Sequence, residues 1–288
     1  MDDADDRHAR AAADTRAAEA EGADDAAAVE GFYERTGEGR FLASAFTRGP
    51  WDRRSQHAGP PAALLGRAVE ERPGAREDMR IARITYEILR PVPIGPLEVT
   101  TSVLRAGRGT EVVEAALAPA GAAPVMFARA LRIRVAGESV PAVAPGPAVP
   151  PPGAVGRTPF FPVPWATGYH TAMETRFTEG TFVEPGPGTC WMRMRVPLIA
   201  GEEVRPLDRV LVAADSGNGI SAVMDFAKYV FVNGDLTVHL HRHPVGEWVC
   251  VEARTSVDAA GIGLADARLH DEDGPIGRGA QSLYVAAR

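Results

Sequence analysis

The chain has 288 residues, of which 45% are hydrophobic and 24% charged, and a net charge of −7. This is enough for one large or two ordinary globular domains; no run approaches the ~20 apolar residues of a membrane span. The first 30 residues carry ten Asp/Glu against three Arg, so the remaining body balances at 28 against 28 and offers no basic face for nucleic acid.

The opening MDDADDRH is the opposite of a secretory signal. Residues 1–30, rich in Ala, Asp and Glu with almost nothing to bury, read as a disordered acidic tail. Phe32-Tyr33 and Phe41–Phe46 look like short strand material. Trp51 to Pro61 forms a turn-rich approach to a helix over Ala62–Glu71, with prolines suited to its first turn and Pro73-Gly74 stopping it. Four strands are expected next, over Ala82–Leu89, Leu97–Leu104, Glu111–Leu117 and Val125–Val135. Their short Gly/Pro-bearing links suit antiparallel neighbours. Between Pro141 and Pro164 lie nine prolines, a semi-rigid linker and the clearest boundary in the chain. The expected organisation is therefore a tail (1–30), a first domain (31–136), a linker (137–168) and a second domain (169–288).

The second domain repeats the first. Strands are expected over Thr171–Val183 and Cys190–Pro197, a long helix over Leu207–Met224, and four further strands over Asp235–His241, Trp248–Thr255, Gly263–His270 and Gly277–Val285. Thr85-Tyr-Glu-Ile-Leu-Arg90-Pro matches Thr237-Val-His-Leu-His-Arg242-His-Pro at an offset of 152. That period is too long for a solenoid unit and indicates two copies of one small fold. The expected class is α+β: a central helix wrapped by an antiparallel sheet, twice, the double hotdog. Cys190 and Cys250 have no metal or redox spacing and read as buried reduced thiols of a cytoplasmic protein.

The stretch LDRVLVAADSGNGISAVM (207–224) is too apolar for a solvated helix, yet contains Asp215. A buried carboxylate costs several kcal/mol unless paired, hydrogen-bonded or used, which makes Asp215 the leading candidate for chemistry. Gly217-x-Gly219-x-x-Ala222 mimics a dinucleotide-binding loop, but that motif needs a parallel βαβ unit where tight-turned strands follow instead. His239, His241 and His243 alternate and, sharing one strand face, could bind zinc; no acidic or thiol partner is near in sequence, so no metal is expected. No Gly-x-Ser-x-Gly elbow is present.

Ala-Asp215-Ser-Gly-Asn-Gly, Asn233-x-Asp235-Leu-Thr237-Val-His-Leu-His-Arg242, Gly246-Glu-Trp248 and Gly279-Ala-Gln281-Ser-x-Tyr284 resemble the second half of acyl-CoA thioesterase II-like proteins. The resemblance implies a cofactor-free thioesterase acting on acyl-CoA or acyl-phosphopantetheine, with a homo-oligomer possible. It also implies that an aspartate, a strand hydroxyl and a glutamine hold the hydrolytic water. Asp215 and Gln281 match; at the hydroxyl position stands Asn233, with Thr237 four residues on, so either could complete the site. His57, Gly59 and Gly217 are the candidate substrate contacts. Gln281 corresponds to Ala130 in the first copy, so one working site per chain is expected. The rival readings are a hotdog hydratase or dehydratase, for which the local sequence lacks the usual proline and histidine, and a non-catalytic acyl-binding or assembly protein.

Overall fold

The computed structural model describes residues 30–136, 140–143, 146, 149–160 and 162–288. The expected disorder of the acidic tail therefore lies outside the described residues, as do 137–139, 144–145, 147–148 and 161 of the linker.

In chain order the strands are β1 (Tyr33–Gly37), β2 (Arg40–Ala43), β3 (Met79–Ile88), β4 (Pro96–Ala106), β5 (Thr110–Pro119), β6 (Met126–Arg134), β7 (Met173–Glu179), β8 (Gly188–Met194), β9 (Tyr229–Asn233), β10 (Asp235–Leu240), β11 (Trp248–Val257), β12 (Ile262–Asp271) and β13 (Gly274–Ala287). The helices are α1 (Gly59–Glu71), the single turns α2 (Tyr169–Ala172) and α4 (Gly217–Ile220), and α3 (Pro206–Ala214). One sheet runs β1-β2-β4-β5-β6-β3-β10-β13-β12-β11-β8-β7, with β9 beside β13. The order of the first six strands is the mirror of the last six, which is the duplication seen as topology. All pairings between named strands are antiparallel. The glycine pattern at Gly217 thus has no parallel unit around it, and the nucleotide reading falls.

The seam between halves is β3 against β10, where Thr85 faces Thr237 and their hydroxyl oxygens lie 3.2 Å apart. These are the two residues matched by the sequence repeat, so the pseudo-two-fold axis passes between them. Alternation explains both strands: Ile84 and Tyr86, like Leu236 and Val238, are buried on the helix side.

Inside the sheet α1 and α3 pack antiparallel, Gly59 against Val212 and Arg67 against Asp208. Small residues permit the approach: a Cβ on Gly59 would stand 2.3 Å from the Val212 carbonyl oxygen, and one on Gly66 2.4 Å from Leu211 Cδ1. Leu64, Leu65, Val69, Leu207, Val210 and Leu211 are fully buried around the pair, each contributing about 1.5–3 kcal/mol of burial. No helix among the described residues is long and apolar enough to cross a membrane.

The long helix expected over Leu207–Met224 is shorter. α3 ends at Ala214 with Asp215 as its C-cap, α4 adds one turn, and residues 221–228 form neither helix nor strand. Ser216-Gly217-Asn218-Gly219 accounts for the break, since such residues compete with or forgo helical bonding. The strand expected from Thr171 opens instead as α2, and β9 is a strand additional to those expected. Between β9 and β10, Asn233 faces Leu283 while Thr237 faces Ala280. Four steps on one strand oppose three on the other, so Gly234 is a bulge. The same slip occurs in the first half, between Ile81 and Arg83 of β3.

Candidate active site

Asp215 caps α3, its side chain 5% exposed, where the N-terminus of α1 arrives from the other half. Oδ1 accepts from Asn233 Nδ2 at 2.7 Å and from Gln281 Nε2 at 2.9 Å. Oδ2 lies 3.0 Å from His57 Nδ1, and the backbone amides of Ala58 and Gly59 also donate to the carboxylate. Those amides, at the positive end of a 13-residue helix, favour the anion. Burial opposes them and prevails, lifting the Asp215 pKa to about 7.

His57 is held by the backbone. Its Nδ1 accepts from the Gly59 N–H at 3.1 Å, which leaves the ring proton on Nε2. The ring stacks on Tyr169, centroids 3.8 Å apart and planes within 2°. Burial pushes its pKa down to about 3, which disfavours an imidazolium–carboxylate ion pair; with Nδ1 as acceptor, the contact with Asp215 is made when the carboxyl is protonated and donates to Nδ1. Tyr169 donates in turn to the Val212 carbonyl at 2.9 Å and lies 3.0 Å from Ser216 Oγ, fixing the end of α3. Neither Tyr169 nor this pairing across the chain carries a signal in the sequence.

Gln281 is equally fixed. Nε2 donates to both Asp215 O (3.1 Å) and Oδ1, while Oε1 accepts from Asn218 N at 3.2 Å. Its two N–H groups are thus spent on Asp215. Asn218 Oδ1, by contrast, is buried without a hydrogen-bond partner. A cavity of about 440 Å³ opens onto His57, Asp215, Ser216, Asn218, Asn233 and Gln281.

Of the expected site residues, the fold brings Asp215, Gln281, Asn233 and His57 together. Thr237 goes elsewhere: the Gly234 bulge reverses strand parity, so its hydroxyl meets Thr85 at the seam, away from the cavity lining. Gly59 and Gly217 lie behind the wall rather than on it, Gly59 against Val212 and Gly217 with its Cβ direction 3.1 Å from Gln281 Oε1. Gly219 takes a place on the wall instead. The histidine alternation ends with β10 at Leu240; His241 and His243 leave the strand, and His243 Nε2 lies 3.3 Å from the Ile81 carbonyl oxygen. Among the described residues no cluster of His, Cys, Asp and Glu is arranged to hold a metal.

The first half has no equivalent centre. Ile81 and Ala130, both buried, occupy the positions of Asn233 and Gln281. The far end of the helix pair is filled by ion pairs of Arg67 with Asp208, Glu71 and Glu202, and of Arg205 with Glu71.

A family model described as the acyl-CoA thioesterase C-terminal domain matches residues 126–285, and its companion, the acyl-CoA thioesterase N-terminal domain, matches residues 47–133. The chain belongs to the acyl-CoA thioesterase family. No curated protein matches it. Among solved structures, a hot dog fold protein of unknown function from Alicyclobacillus acidocaldarius aligns with a TM-score of 0.69 at 18% identity, over 89% of this chain and 96% of that one. The tesB protein of Mycobacterium avium subs paratuberculosis aligns at 0.63 and 17%, over 92% and 99%. The acyl-CoA thioesterase II TesB2 of Mycobacterium marinum aligns at 0.61 and 14%, over 89% and 95%. At these identities the neighbours establish the fold, a double hotdog, and leave the chemistry to the site.

Proposed function

We propose that the protein hydrolyses an acyl thioester, carried on CoA or on a carrier protein's phosphopantetheine, with Asp215 as general base. The observation that carries the reading is the buried Asp215 carboxylate on the wall of the cavity, gripped from both halves of the chain; its burial raises the pKa to about 7. A base poised near neutral pH is best placed to take a proton and give it back.

Once Asp215 is ionised, His57 Nδ1, which accepts from the Gly59 N–H, has no proton to give Oδ2, so the Oδ2 edge facing His57 is where water is taken up. Ionised Asp215 then takes a proton from water as the water oxygen attacks the thioester carbonyl. The C–S bond breaks as the tetrahedral intermediate collapses, the thiolate recovers that proton from Asp215, and a carboxylic acid and a thiol leave. His57 lines the cavity, and its Nε2–H is the donor assigned here to the developing oxyanion. Gln281 and Asn233 hold the carboxylate rather than the water, and Asn218 Oδ1 supplies an acceptor for the water's second hydrogen. Asn233 therefore serves in place of a hydroxyl, and one working site per chain follows from Ile81 and Ala130.

Release of free thiol from a panel of acyl-CoAs, by wild type but not by Asp215→Asn, tests the reading. A second reading rests on the Asp215–His57 contact, which gives a hydratase the carboxylate–imidazole pair that the local sequence lacks. Loss of enoyl-CoA absorbance without thiol release would favour it.

A further inference from the structure

The cavity wall is rich in aromatic rings. Besides His57 it carries Trp51, Phe160, Phe182, Phe226, Tyr229 and Phe231. Five of these form two groups. Phe226 stands between Trp51 and Phe231, with centroids 4.9 Å and 5.3 Å away. Phe160 lies 4.4 Å from Phe182. They converge from segments far apart in the chain: the approach to α1, the end of the linker, the β7–β8 turn, the segment after α4, and β9.

We infer that the cavity selects an acyl group bearing a single aromatic ring over a straight aliphatic chain of the same carbon count. This deepens, and rests on, the reading of the cavity as a thioester site. Rings paired edge-to-face or offset gain beyond what buried area provides, and two ring groups line this one cavity.

The test compares two hydrolysis-resistant thioethers of equal carbon number, S-(2-phenylethyl)-CoA and S-octyl-CoA, by calorimetric titration of the full-length protein. Octyl has the larger apolar area and wins on burial alone, so ring recognition must reverse the order. The expected result is phenylethyl binding about fivefold tighter or more, with Phe226→Leu, which keeps the wall apolar, bringing the ratio toward one. Octyl binding as tightly or tighter in wild type, or an unchanged ratio in Phe226→Leu, overturns the inference. Ring-selective binding without thiol release from phenylacetyl-CoA upholds it while removing the hydrolase reading. Binding of neither thioether overturns both.

Discussion

Replacing Asp215 by Asn should stabilise the protein at alkaline pH. Burial raises the carboxyl from its ordinary value of 3.8 to about 7. A group whose folded pKa is raised gives stability that is complete below the unfolded value and is lost as pH rises through the folded one. At 1.36 kcal/mol per unit, the raised pKa costs the fold about 4 kcal/mol at pH 8, where the buried carboxyl must ionise, and about 1 kcal/mol at pH 4.5, where only the unfolded chain does. Asparagine keeps an acceptor for Asn233 and Gln281 without the charge, although its NH₂ faces the amides of Ala58 and Gly59, so these figures are upper limits. His57 is present in both proteins and cancels in the difference. Urea unfolding at the two pH values measures it, and with m of ~2–3 kcal/mol/M the gain at pH 8 corresponds to a midpoint shift of up to about 1–2 M. A variant whose stability difference from wild type is the same at pH 4.5 and pH 8 would refute the claim that Asp215 is held at a desolvation cost.

Gln281→Ala should lower kcat by roughly 10²-fold, and adding Asp215→Asn should lower it little further, because both act through one carboxylate. Asn233→Ala should cut turnover measured by thiol release, whereas Thr237→Ala, at the seam, should leave it near wild type; the opposite pattern would return the third role to Thr237. Gly59→Ala forces a methyl against the Val212 carbonyl oxygen and should cost about 1–3 kcal/mol, seen as a melting temperature lower by ~2–6 °C. In the pH profile of kcat/KM, the acid limb should break near 7, where Asp215 takes up its proton. A break near 4 would mean the carboxylate is not desolvated when it works.

The duplication was legible because the two strands at the seam kept Thr85 and Thr237 in matching contexts. Asp215 was legible because a charge inside an apolar run demands an explanation. The end of α3 was not, since Val223 and Met224 continue an apolar pattern beyond glycines that break the helix. Thr237 was misplaced by counting parity through Gly234, because a bulge leaves no mark in hydrophobic periodicity. His57 was visible as a candidate, but its ring meets Asp215 only through the packing of α1 against α3. That contact joins residues at opposite ends of two helices, and it is set by Gly59 and Val212 touching, which is tertiary information. The aromatic wall was equally hidden, its rings being scattered over five segments.

The most direct measurement is thiol release from acyl-CoAs by wild type and Asp215→Asn, side by side at pH 8, with binding followed in the same samples. The account predicts turnover by wild type, retained binding by the variant, and a loss in kcat of about 10²-fold or more. Equal turnover by the two proteins, or binding by wild type with no thiol released, would contradict it.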